Sequence, residues 1–240
     1  MTTPLSDLSE SHPAIGGGDS DNSVVLGIDT ATDVRAGVAR DGRLVSTDVV
    51  PDRRAHAEQL LPLVQRVLAT AGVTPSDLTG VVVGVGPGPF TGLRVGVAAA
   101  ITLAEALGVP VRGVCSLDVV ALDWADRGDA PAEGFVVVAD ARRKEVYWAV
   151  YDGTGQRVDG PFVTAPGEVR DLPLAGPGAT LTGRDCAGPD AIDAGLMAAA
   201  GHRLVDAGLE PLYLRRPDAE VPTTRKSTLL QPRLAMMVKP

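Results

Sequence analysis

Aromatic residues are nearly absent from this chain. Three Phe, three Tyr and two Trp are 3% of 240 residues. A core of normal density must therefore come from Val, Leu and Ala. Cysteine is almost as scarce. Cys115 and Cys186 stand far apart and neither belongs to a C-x-x-C pair, which excludes a zinc ribbon and a thioredoxin-like motif and leaves two reduced thiols. Only three histidines occur, His12, His56 and His202, and no two are spaced as metal ligands on a helix. Positive charge is outweighed, with 22 Lys and Arg against 30 Asp and Glu, a formal charge of -8 and a pI near 4.9. That balance disfavours nucleic-acid binding by the chain alone. No basic segment followed by an apolar one opens the sequence, so a cytoplasmic location is expected. Residues 1–22 hold four acids, no Lys or Arg and many Ser and Gly. They read as a disordered extension.

What is present centres on Gly84 to Arg94, Gly-Val-Gly-Pro-Gly-Pro-Phe-Thr-Gly-Leu-Arg. It follows the apolar run Val81–Val83 and leads into a helical pattern, Thr91 to Leu107. Strand, glycine turn and helix can cradle a phosphate on free amides, which makes Gly86, Gly88, Thr91 and Arg94 candidates for a phosphate or nucleotide contact. No G-x-x-x-x-G-K-[ST] is present, however, and Pro87 and Pro89 carry no N–H. A rigid turn with Thr91 as helix N-cap is the preferred reading. Within the helix Gly92, Gly96, Ala100 and Ala104 recur every four residues on one face. Such a stripe lets another backbone come close, in this chain's own core or in a partner. Arg94 sits near the positive end of its helix, where a cation needs an acidic partner or a ligand.

The chain repeats itself. Val24 to Asp29 and Phe135 to Asp140 are apolar strands ending in aspartate, each followed by a polar turn, a second strand and an Asp-Gly pair, Asp41-Gly42 or Asp152-Gly153. The offset is 111 residues at both aspartates and at both Asp-Gly pairs. Two related α/β lobes are expected, residues 23–120 and 121–216, the second smaller and more loop-rich, with a flexible tail over 217–240. In the first lobe a helix is predicted over Arg53 to Ala71, with Leu60, Leu61, Val64, Val67 and Leu68 on its apolar face. In the second, a strand is predicted near Ala179 to Thr182 and a helix over Ala191 to Ala207. Asp29 and Asp140 are candidate nucleotide or magnesium contacts, with Thr30 beside the first. Their plainer role is to form Asx turns.

Several words of the sequence resemble one family. Ile28-Asp29-Thr30-Ala31-Thr32, Arg54 to Pro62, Gly86 to Arg94, Asp140-Ala141-Arg142 with Glu145-Val146-Tyr147, and Pro211 to Arg215 are similar to the TsaB family. The matches run in order from Val24 to Arg216. Pro89 departs from the Ser usual there. The resemblance implies two duplicated lobes of the actin/hexokinase/Hsp70 type. It also implies a non-catalytic scaffold that binds TsaD and, with the ATPase TsaE, supports threonylcarbamoyl transfer to N6 of adenosine 37 in tRNA. Threonylcarbamoyl-adenylate and ATP would be handled by the other subunits, with no cofactor in this chain and tRNA reached only through the complex. TsaD carries a His-x-x-x-His metal pair, and at the corresponding positions this chain has Ser116 and Val120. No catalytic and no metal-ligating residue is therefore assigned. Partner binding is expected through His56, Leu60, Val64, Gly92, Gly96, Ala100 and Ala104, with a homodimer on the same face when TsaD is absent. The alternative is a stand-alone ATPase or kinase of the same superfamily, its cleft bounded by Asp29 and Asp140. A peptidase finds no Ser/His/Asp set or metal pair to support it.

Overall fold

A computed structural model describes residues 22–51 and 56–215. The predicted extension over 1–22, apart from Asn22, the residues before His56 in the predicted first helix and the tail over 217–240 lie outside the described residues. The first sheet holds five strands, β1 (Val24–Asp29), β2 (Val34–Arg40), β3 (Arg43–Val50), β4 (Gly80–Gly84) and β5 (Val111–Val114), in the order β3-β2-β1-β4-β5. The first three form an antiparallel meander, and β4 and β5 run parallel to β1. Two crossover helices, α1 (His56–Ala71) and α2 (Phe90–Leu107), complete this unit. After α3 (Ser116–Arg127), the second sheet repeats the pattern with β6 (Phe135–Arg142), β7 (Glu145–Tyr151), β8 (Arg157–Thr164) and the short β9 (Leu174–Ala175), ordered β8-β7-β6-β9.

The repeat extends to the pairing register. Val24 faces Arg40 and Phe135 faces Tyr151; Val25 faces Gly80 across the parallel pair and Val136 faces Leu174. The antiparallel pairing of the second hairpin is that of the first moved by 111 residues on both strands, while the parallel partner strand comes earlier in the second lobe because its connection is shorter. The connections diverge instead. Where the first lobe has α1 and α2, the second has single 3-10 turns at Pro166–Glu168 and Ala179–Thr182. The predicted strand over Ala179–Thr182 is thus a turn, and the real strand lies five residues earlier. Asp41-Gly42 forms a two-residue hairpin turn with φ of 50° and 70°. Asp152-Gly153 opens a longer loop, in which the Asp152 carboxylate accepts from the Thr154 and Gln156 amides.

The lobe boundary differs from the one expected. Residue 120 falls inside α3, which packs on the second sheet, while α4 (Ala194–Ala200) returns to the first. It rests on β1 and β2 because Gly27 and Gly37 carry no side chain. A Cβ on Gly27 would collide with the Ala194 carbonyl, and one on Gly37 would lie 2.9 Å from the same carbonyl carbon. The helix predicted over Ala191–Ala207 is therefore only seven residues of α-helix, capped by Asp193 and followed by a 3-10 turn. One apolar cluster joins the lobes through Val25, Val82, Leu117, Phe135, Val137 and Met197, and a second fills the space between the first sheet, α1 and α2.

The small-residue stripe on α2 belongs to that second space. Gly92, Gly96, Ala100 and Ala104 are all buried within the chain. A Cβ on Gly96 would collide with Thr30 Oγ1, whose hydroxyl donates to the Gly92 carbonyl at 2.8 Å. Leu60 and Val64 on α1 are buried in the same core. These six residues hold the chain's own helices down, which corrects their expected place on a partner surface. Accordingly Ala100→Leu should destabilise the isolated protein by about 1–3 kcal/mol through overpacking, lowering its melting temperature by about 2–4 °C per kcal/mol. Unchanged thermal unfolding would contradict this packing.

Candidate functional site

The carboxylate of Asp29 lies at the end of β1 with no solvent exposure. Its Oδ1 accepts from the Ala31 amide at 2.8 Å and its Oδ2 from the Ser116 hydroxyl at 2.6 Å. Ser116 Oγ in turn accepts from the Gly86 amide at 3.2 Å, and the Ser116 amide donates to the Gly86 carbonyl at 2.8 Å. One buried network thus ties the first hairpin, the glycine turn and the start of α3. Burial raises the Asp29 pKa from 3.8 to about 6, against the opposing pull of the Ser116 and Ala31 hydrogen bonds and of Arg35. Asp29 therefore forms the Asx turn of the plainer reading, and it is sealed from any ligand.

The glycine turn is likewise packed from within. Gly86 and Gly88 are buried; the Gly86 amide is engaged by Ser116, and a Cβ on Gly88 would lie 2.8 Å from Ala31 Cα. Thr91 is exposed in the first turn of α2, where the N-cap position is held by Pro89 without a side-chain hydrogen bond. This differs from the expected Thr91 cap. Arg94 has found an aromatic partner instead of an acid. Its guanidinium carbon lies 4.2 Å from the Phe90 ring centroid, and its Nε–H donates to the Tyr213 hydroxyl at 3.1 Å. Tyr213 belongs to a strap, residues 211–215, that crosses from the first lobe to the second. The Leu212 amide donates to the Val85 carbonyl, and Arg215 pairs with Glu145 at the start of β7.

Asp140 makes the same local bond as Asp29, accepting from the Arg142 amide two residues on at 2.7 Å. Its side chain is partly exposed and lies 3.4 Å from Arg142. The residues proposed for nucleotide contact are therefore not gathered around one opening, since Asp29, Thr30, Gly86 and Gly88 are buried while Thr91, Arg94 and Asp140 reach the surface. His56 is the first residue of α1, and its side chain lies outside the described residues. Ser116 and Val120 are both buried at the start of α3, and among the described residues no group of three or more His, Cys, Asp and Glu side chains could hold a metal ion. Sequence reasoning found Ser116 only as a replaced histidine and gave Tyr213 no role. The signal for Ser116 was its apolar setting, since a lone hydroxyl there needs a buried partner.

A second buried polar group lies under α3. The Tyr151 hydroxyl donates to Asp118 Oδ1 at 2.8 Å, with Arg157 3.5 Å from the other oxygen. Burial pushes the Cys115 thiol beside them up to about 12, so it stays protonated and unreactive. A cavity of about 440 Å³ opens next to Asp118 and Arg157, and another of about 320 Å³ lies between β3 and the 189–193 segment.

Because the folded-state pKa of Asp29 is raised, its contribution to stability is complete below about pH 3.8 and is lost as pH rises through about 6. Replacing it with Asn removes that slope. Between pH 4 and 7.5 the stability of Asp29→Asn should gain on wild type by an amount on the order of 3 kcal/mol, at 1.36 kcal/mol per pKa unit. Urea unfolding across that range checks it, and parallel curves for the two proteins would contradict the burial of this charge.

The fold has counterparts in known proteins. Residues 47–183 match the family described as TsaD: tRNA N6-adenosine threonylcarbamoyltransferase. A Mycobacterium tuberculosis protein described as uncharacterized is 49% identical over 207 residues, covering 82% of this chain and 94% of that one. The Escherichia coli tRNA threonylcarbamoyladenosine biosynthesis protein TsaB is 31% identical over 128 residues, 53% of this chain and 54% of its own length. The solved structure of YeaZ from Pseudomonas aeruginosa superimposes with a TM-score of 0.64 at 30% identity, over 80% of this chain and all of that one. With its duplicated hairpins in identical register and its glycine turn and strap in place, the chain belongs to the TsaB family of tRNA threonylcarbamoyladenosine biosynthesis proteins.

Proposed function

We propose that this chain is a non-catalytic scaffold subunit that binds TsaD and supports threonylcarbamoyl transfer to N6 of adenosine 37 in tRNA. TsaE is the third member of the working complex, in the cytoplasm, and the adenylate and ATP are handled by the other subunits. One observation carries the reading. The outward side of α2 exposes Ala98, Thr102 and Ala106, with Val95, Ala99 and Leu103 half-buried beside them. Its neighbour α1 exposes Leu61, Gln65 and Ala69. Arg94 and Glu105 are the charges on the 18 residues of α2. A long, low-relief apolar surface of this kind fits a partner helix pair, and the face beneath it is already fixed by the core. The partner surface therefore lies on the side of α2 opposite the stripe. The first-lobe carboxylate is sealed by Ser116, which weighs against the stand-alone kinase. In the absence of TsaD the same face would serve a homodimer.

Co-expression with TsaD from the same organism tests the proposal. This chain should co-purify with TsaD, and tRNA modification by TsaD and TsaE should require it. Ala98→Glu is fully tolerated by an exposed helix position, so its melting temperature should hold while affinity for TsaD falls at least about tenfold from burial of an unpaired charge. Modification that proceeds equally well without the chain would overturn the scaffold role. Undiminished capture of TsaD by Ala98→Glu would overturn the assigned face.

A further inference from the structure

A row of small side chains lets a partner helix come close but supplies little binding energy. Ala98, Thr102 and Ala106 recur every four residues on the exposed side of α2, and the same row begins with Phe90 and Arg94. Four residues are about 6 Å of helix rise, so a helix laid on Ala98 also reaches Arg94. The energy of an interface is concentrated in a few large side chains, among which Tyr, Trp and Arg predominate. Such groups meet at this end of α2. The Phe90 and Tyr213 rings have centroids 4.7 Å apart, and the Arg94 guanidinium carbon lies 4.2 Å from the Phe90 centroid. Packed in this way, Phe90 and Tyr213 still expose 41% and 38% of their surface.

The cluster is set in place before any partner arrives. Arg94 Nε–H donates to the Tyr213 hydroxyl at 3.1 Å, and the strap that carries Tyr213 is tied to Val85 through Leu212 and to Glu145 through Arg215. A long side chain already held in this way loses less rotamer freedom on binding. Its two terminal nitrogens are still unused. Among the described residues, Nη1 and Nη2 of Arg94 make no hydrogen bond and no ion pair. The position does nothing for α2 itself, because the helix dipole is positive at that end. A planar fork of this kind is matched by a carboxylate, which accepts two parallel N–H bonds.

We infer that Phe90, Arg94 and Tyr213 are the anchor of the TsaD-binding face, with a TsaD carboxylate in the Arg94 fork and apolar TsaD side chains against the exposed sides of the two rings. The inference rests on the scaffold reading for the identity of the partner. It adds that the face is not made by α1 and α2 alone. The strap supplies one anchoring residue, so the surface offered to TsaD is composite. Ala98, Thr102 and Ala106 then set the closeness of fit, while the cluster supplies affinity and selects for an acidic group opposite it.

Calorimetric titration of the full chain with TsaD from the same organism, at low and at raised salt, tests this. Wild type should bind less tightly as salt rises, because the ion pair is screened. Arg94→Ala should weaken binding at least about tenfold and be less sensitive to salt than wild type. Arg94→Lys should weaken it nearly as much, since an ammonium keeps the charge but not the fork. Tyr213→Phe should bind better than Tyr213→Ala, because the ring remains. The Arg94 variants leave the strap bonds at Val85 and Glu145 intact, so they carry the test even where Tyr213→Ala loosens the strap. Wild-type affinity in the Arg94 variants, with Ala98→Glu impaired, would overturn the anchor and leave the scaffold face standing. Weakened binding by Arg94→Ala with unchanged salt dependence would overturn the carboxylate. Impairment in the Arg94 variants with Ala98→Glu unaffected would support the anchor and move the rest of the face. Absence of TsaD binding by wild type would overturn the anchor and the scaffold reading together.

Discussion

The fold is organised around the burial of the Asp29 carboxylate. A charge with no exposure is tolerated only when its lone pairs are met by donors, and here the donors come from three separate segments. Ala31 supplies an amide from the same turn, Ser116 a hydroxyl from α3, and Gly86 steadies that hydroxyl from the glycine turn. The neighbourhood is shaped accordingly. A Cβ on Gly84 would collide with Asp29 Oδ2 and sit 2.7 Å from Ser116 Oγ, so the last residue of β4 has to be glycine. Losing Ser116 would leave a buried carboxylate oxygen without a partner, a larger cost than the hydrogen bond itself.

The shortage of aromatic side chains has a structural counterpart. Without large rings to fill space, the elements come together backbone to backbone. Thr30 reaches the α2 backbone over Gly92 and Gly96, and α4 lies on Gly27 and Gly37. The β5 strand meets the 207–208 segment at Gly113, where a Cβ would collide with the Gly208 carbonyl. Glycine weakens strands and helices when it is merely exposed. At these sites it permits contacts that a Val-, Leu- and Ala-built core needs to reach full density. The stripe on α2 is one example of that rule, which is why its spacing alone did not tell a core from an interface.

Much of the architecture was legible because it depends on local pattern. The strands end where apolar runs end, and the 111-residue offset carried the hairpin register of one lobe onto the other. The errors have a common physical source. Thr91 was a sound N-cap by residue type, but Pro89 already held the extended conformation and α2 began one residue earlier. Arg94 was expected to seek an anion because the sequence could not show Tyr213 arriving from 119 positions away. Ala191 to Ala207 had helical composition, yet Gly201 and contact with β4 through Val82 stopped the helix early. In each case a long-range contact overrode a local preference.

The two hairpins show how one ancestral element comes to serve two ends. Both aspartates make the same Asx bond to the amide two residues on. The first turn is then covered, because α2 presses Gly92 and Gly96 onto Thr30 and Ser116 closes over Asp29. In the second lobe the element in the place of α2 is a four-residue 3-10 turn, and Gly178 before it reaches only as far as Ala139 and Asp140. Arg142, Arg143 and Lys144, the residues beyond that aspartate, are exposed. With a single turn where the first lobe has α2, the second junction stays at the surface. The same hairpin geometry secures the core in one lobe and offers a surface in the other.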